Sequence, residues 1–177
     1  SGNLAAVGYE TYMEMLEETI DEMRGNAREV EVDPEIRLPV PAKLPDDYVA
    51  TVNQRLVLYK RLASCRDDDE VDRIRDELLD RFGSLPDVAE NLLAVIRLKI
   101  LARRLGIASV DLKAGEFVLT AGETTRVDPE RLLRMMTQAG AGMRVTPGHQ
   151  IIAPAPGQAD AAQLFDSARR LLLHLGA

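Results

Sequence analysis

Tryptophan is absent from this chain, cysteine occurs once, histidine twice, and aromatic residues make up only 4% of the sequence. Each scarcity removes a class of function. The single thiol, Cys65, excludes an internal disulfide framework and suits a reducing cytoplasm. His149 and His174 stand far apart and no second thiolate exists, so a zinc site lacks its ligands. Three Phe and four Tyr make a poor platform for stacking bases. No apolar run approaches the roughly 18 residues of a membrane span, and the first residues lack the basic-then-apolar pattern of a signal sequence. The chain carries neither a GxxxxGK[ST] phosphate loop nor a G-x-S-x-G nucleophile elbow. The Asp67-Asp68-Asp69 run lacks the spaced ligands and glycine of a calcium loop, and acids are stabilised at a helix start in any case. These absences lead to the expectation of a non-catalytic protein, with no cofactor and no metal.

Positive charge is also in short supply. Lys and Arg number 22 against 29 Asp and Glu, for a net charge of −7. Duplex nucleic acid requires basic residues gathered on one face, whereas Arg73, Arg75 and Arg81 are interleaved with acids. Direct DNA binding is therefore not expected.

What the chain does have is enough length for a compact domain and an extra segment, with 46% hydrophobic and 29% charged residues among 177. Residues 4–24 place Tyr9, Tyr12, Met13, Leu16, Ile20 and Met23 at helical spacing, with Gly25 as a stop. The stretch "EVEVDPEIRLPVPAKLP" then reads as a short strand and an extended connector, because its prolines forbid a helix. Pro45-Asp46-Asp47 predicts a helix start, followed by an apolar stripe of Val49, Val52, Leu56, Tyr59 and Ala63. Asp67 and Asp68 predict caps for the next helix, with the stripe Val71, Ile74, Leu78 and Phe82 and a stop at Gly83. A third helix runs from Asp87 to about Leu105, ended by Gly106. It is apolar nearly all round, as expected of a helix enclosed by its neighbours.

After Gly106 the texture changes. "ASVDLKAGEFVLTAGETTRV" predicts a hairpin, Asp128-Pro129 opens a helix carrying Leu132, Leu133, Met135 and Met136, and "MRVTPGHQIIAPAP" predicts two more strands. The methionines at this spacing are expected in the core rather than on a contact surface. A last helix carries Leu164, Phe165, Ala168, Leu171 and Leu172. The expected class is α+β: a helical N-terminal half, then a small, largely antiparallel sheet in β-β-α-β-β-α order. The expected organisation is a tail helix over 1–25, a proline-rich connector with a short strand over 26–43, and a domain over 44–177.

One placement breaks a local rule. Asp80 falls in the last turn of the helix that ends at Phe82, where the partial negative charge of the helix terminus opposes a carboxylate by ~0.3–1 kcal/mol. Asp76, Glu77 and Asp80 lie within a turn of one another, opposite the apolar stripe, and Arg73 and Arg81 are each spaced to pair with Glu77. Such a face is either solvated or a docking surface for a basic partner, where local rule-breaking is expected.

The motifs "GYETYMEMLEE", "LPDDYV", "NQRLVLYKRLAS", "ELLDRFGSLPDVAENLL" and "RLKILARRLGI", in that order, resemble the C-terminal end of the bacterial transcription-repair coupling factors, the Mfd translocases. The resemblance covers essentially the whole chain, by motif to Ile107 and by pattern after it. It implies a fragment: residues 1–25 as the tail of a motor domain, and residues 44–177 as a regulatory domain. It further implies docking on a UvrB-like module of the same parent protein. That contact would hide the surface recruiting UvrA and restrain the motor until RNA polymerase is engaged. On this resemblance Glu77 and Asp80, with Asp76, Arg73 and Arg81 around them, are the protein-interaction residues. The rival, a nucleic-acid-binding accessory module of a helicase-like motor, has the net charge against it. The tail helix, deprived of its motor, is expected to pack on its own domain or exchange with a second copy. Two features depart from the family pattern: Cys65 stands where a small aliphatic residue is usual, and the connector is unusually rich in proline.

Overall fold

Capping chemistry sets most of the boundaries in the computed structural model, which describes Glu14 and residues 33–177. The helix expected over 4–24 lies, apart from Glu14, outside the described residues. The described elements are β1 (Glu35–Arg37), α1 (Val52–Ala63), α2 (Asp68–Phe82), α3 (Asp87–Leu105), β2 (Ile107–Lys113) and β3 (Glu116–Ala121). They continue with α4 (Pro129–Thr137), β4 (Arg144–Thr146), β5 (Gln150–Pro154) and α5 (Ala161–His174). Asp67 caps α2 by accepting from the Glu70 amide at 2.9 Å, and Asp128 does the same for α4. Asp160 and Gln163 close a reciprocal capping box at the start of α5. The fold is α+β, with five helices and a five-stranded sheet among the described residues.

The described residues divide into two compact units, one over residues 40–97 and the other over 33–39 and 98–177. The first unit is helical. Its core gathers Leu58 and Leu62 of α1, Val71, Ile74 and Leu78 of α2, and Leu92 from the first half of α3. Two sequence expectations are corrected here. The segment at Pro45 forms only one turn, with the amides of Tyr48 and Val49 both donating to the Pro45 carbonyl, and α1 begins at Val52. The buried positions of α1 are Arg55, Leu58, Tyr59 and Leu62, while Val52, Leu56 and Ala63 are half-buried. The physical reason is Arg55. Its guanidinium donates to the carbonyls of Val49 (2.5 Å) and Ala50 (3.1 Å), groups that the late helix start leaves open, and this turns the helix face inward at Arg55.

The second unit holds the sheet, in the order β1-β2-β3-β5-β4. β2 and β3 form the expected hairpin through Ala114 and Gly115, both with positive φ, as a tight two-residue turn demands. All pairings are antiparallel except β1 with β2, which is parallel. α5 buries Leu164, Phe165, Ala168 and Leu172. α4 differs from expectation: none of its residues is buried, Met135 and Met136 are half-covered, and Leu133 is 61% exposed. Amphipathic spacing marks a face, but it does not say whether a neighbour covers that face.

Arg37 explains how a three-residue strand holds its place. It reaches the adjacent β2 residue Asp111 through two parallel bonds, Nε to Oδ1 at 2.6 Å and Nη2 to Oδ2 at 2.9 Å. Asp33 adds ion pairs to Arg103 at 3.2 Å and Lys99 at 3.6 Å on the second half of α3. The Arg37 hydrogen bonds hold the Asp111 carboxyl below its usual range, against the opposing effect of burial. A depressed folded-state value stabilises above the unfolded value, about 3.9 for Asp, and that contribution is lost as pH falls through the folded value. Asp111→Asn should therefore cost about 1 kcal/mol near neutrality, a figure discounted for the exposed Arg37 side. Thermal melts of the two proteins from pH 7 downward should begin to converge below about pH 4 and meet only once the pH is below the folded-state value of Asp111. A gap that stays constant with pH would show that the loss is not ionic.

Candidate docking site

α2 presents its apolar stripe to the first unit's core and its charged residues outward, so that Asp72, Arg73, Asp76 and Asp80 are all exposed. Its C-terminus is built by residues from outside the helix as well as within it. Gly83 caps it at φ +85°. The Tyr48 hydroxyl donates toward the carbonyls of Leu78 (3.1 Å) and Gly83 (2.9 Å), satisfying groups that a helix end otherwise leaves open. The Tyr48 ring also tilts against Phe82 at 5.7 Å. Burial pushes the Tyr48 hydroxyl above its ordinary range.

The five candidate residues divide sharply. Glu77 is already held within the chain: Arg81 Nη1 lies 3.1 Å from Oε1, and Arg61 Nη2 of α1 lies 2.5 Å from Oε2. Hydrogen bonding from Arg61, with Arg81 adding to it, draws the Glu77 carboxyl below its usual range. Arg81 also stacks over the Phe82 ring at 4.9 Å. Asp80 and Asp76 form no hydrogen bond or close ion pair with another described residue, and neither does Arg73. The expected Arg73–Glu77 pair is thus replaced by Arg61–Glu77. A basic residue N-terminal to its acid is the poorer i,i+4 order, and a guanidinium from the neighbouring helix takes the site instead. Leu79, between the acids, is 45% exposed. Sequence reasoning missed Arg61; its only signal was a place in the last turn of α1 within "YKRLAS".

Among the described residues no group of three or more His, Cys, Asp or Glu side chains could hold a metal ion. No helix of the described residues is long and apolar enough to cross a membrane. Cys65 is buried at the end of α1 with its thiol toward the Arg61 carbonyl at 3.4 Å, and burial pushes its pKa up to about 11. A thiol of that kind is inert, so a disulfide-exchange reagent at pH 8 should leave Cys65 unmodified in the native chain and label it fully in denaturant. Rapid stoichiometric labelling of folded protein would contradict the buried placement.

Comparison with known proteins gives this surface a context. The family model of the TRCF domain matches residues 38–132. The chain is 36% identical over 175 residues to the transcription-repair-coupling factor of Myxococcus xanthus, covering 99% of this chain and 15% of that protein. It is 37% identical over 142 residues to the transcription-repair-coupling factor of Escherichia coli, covering 77% of this chain and 12% of that one. The chain thus spans only a small part of the length of these relatives. The fold matches a crystal structure of the C-terminal domain of a transcription-repair coupling factor, with a TM-score of 0.64 at 19% identity, over 79% of this chain and 93% of that one.

Proposed function

The chain belongs to the TRCF-domain family, and from that premise we propose that it is a non-catalytic, autoinhibitory docking domain of a cytoplasmic, DNA-translocating repair-coupling ATPase. Residues 1–25 are the tail of the preceding motor domain, 26–43 the connector, and 44–177 the regulatory domain. The exposed face of α2 docks on the UvrB-like module of the same parent protein. While docked, it masks the surface that recruits UvrA and restrains the motor until RNA polymerase is engaged.

The observation that carries this reading is Asp80. It is an exposed carboxylate in the last turn of α2, against the helix dipole, with no ion pair to any described residue. A charge kept where its own helix opposes it, one turn from Glu77, is accounted for by a guanidinium supplied from outside. The net charge of −7 favours a basic partner over nucleic acid. The direct test is titration calorimetry of the whole chain against the UvrB-like module of its parent protein at two salt concentrations. Saturable one-to-one binding that weakens with salt is expected. No association at low salt, or binding of equal strength to duplex DNA, would refute the reading.

A further inference from the structure

Glu77 and Asp80 sit one turn apart on α2, yet one is occupied and the other is open. Each Glu77 oxygen is engaged by a different guanidinium, Oε2 by Arg61 at 2.5 Å and Oε1 by Arg81 at 3.1 Å. An incoming guanidinium that binds a carboxylate through a two-pronged fork needs both oxygens. A carboxylate has about four lone-pair sites, so an incoming guanidinium competes with the residents rather than being shut out by them, and the two residents are not equally free to move. Besides the bond to Glu77, which Arg61 also makes and at the shorter distance, Arg81 rests over the Phe82 ring. The Arg61 side chain is 43% exposed, and Glu77 is its ion-pair partner among the described residues.

We propose that Arg61 is a built-in competitor for Glu77: it fills the carboxylate that a basic partner would use, and so limits how tightly this face docks. The inference rests on the docking reading above and goes beyond it in three respects. Asp80 provides the open charge and the larger share of affinity. Glu77 is reached by exchange, as the partner's cation displaces Arg61. Arg61 thus regulates affinity through its hold on Glu77.

The test is a double-mutant cycle in the full chain, measuring affinity for the UvrB-like module by calorimetry with Arg61→Gln, Glu77→Gln and both together. Arg61→Gln alone should tighten docking by roughly 1.5- to 5-fold, the range set by exposed ion pairs. In the Glu77→Gln background the same change should gain little. Equal tightening in both backgrounds would overturn the proposal, because Arg61 would then act only as a repelling surface charge. A second measurement needs no partner: an NMR titration of the Glu77 carboxyl in the unbound chain should shift upward, toward the ordinary Glu range, in Arg61→Gln. An unmoved titration would overturn the competition even where docking is intact. Unchanged affinity in both Glu77→Gln and Asp80→Asn would instead sink the docking reading, and this inference with it.

Discussion

Docking to the UvrB-like module should weaken by roughly 2–5 kcal/mol in the double variant Glu77→Ala with Asp80→Ala, the range for truncating one side of buried interface ion pairs. The same variant should fold almost as well as the parent, because two small effects oppose each other. Losing Glu77 removes its bonds to Arg61 and Arg81, side chains 43% and 39% exposed, and exposed pairs of this kind contribute about 0.2–1 kcal/mol each. Losing Asp80 relieves a carboxylate at the negative end of α2, which returns ~0.3–1 kcal/mol. The net change should lie between about −0.6 and +1.7 kcal/mol, a fall of no more than ~3–7 °C in Tm for a chain of this size. Affinity and thermal stability must be measured side by side. A variant that melts many degrees lower and still binds normally would make the acids structural and remove them from the interface.

The largest effect on folding should come from the residue joining α3 to β2. Gly106 has φ +66°, and a Cβ built there would lie 2.7 Å from the Thr124 carbonyl oxygen and 2.9 Å from the Thr125 Cα. Backbone atoms cannot swing aside as a side chain can. The segment is also fixed in place: the Gly122 amide donates to the Gly106 carbonyl at 2.8 Å, and the Arg126 amide donates to Leu105 at 2.7 Å. Gly106→Ala combines a left-handed backbone, at about 1–2 kcal/mol, with overpacking, at about 1–3 kcal/mol. The expected sum, about 2–5 kcal/mol, corresponds to a fall in Tm on the order of 10 °C. Gly83→Ala provides the control. Gly83 also has a positive φ, +85°, but nothing lies within 4 Å of its added Cβ, so it should pay only backbone strain of about 1–3 kcal/mol. If denaturant melts rank Gly83→Ala as the more damaging change, the close approach at Gly106 is not what limits it.

Interactions that reach only a few residues along the chain are legible before any folding is considered. Asp67 and Asp128 cap helices, as expected, because a short acceptor reaches amides two or three positions on; the Asp160 cap of α5 rests on the same local reach but was not anticipated. Gly83 and Gly106 stop α2 and α3 for an equally local reason, and Val71, Ile74 and Leu78 are buried as their spacing dictates, although Phe82, expected in the same stripe, is only half-buried. Asp80's misfit with its own helix was visible on the same grounds. Tertiary structure alone decided everything that depends on what another element brings alongside. It placed Arg61 rather than Arg73 on Glu77, and it buried Arg55 where the stripe of Val52 and Leu56 was expected. It paired Arg37 with Asp111, 74 residues apart, and it left the Met135–Met136 face of α4 only half covered. It also turned Gly106 from a simple helix stop into a position with no room for a methyl group. Periodicity fixes the face a helix offers; which side chain or backbone meets that face depends on packing between segments distant in the chain, which no local pattern encodes.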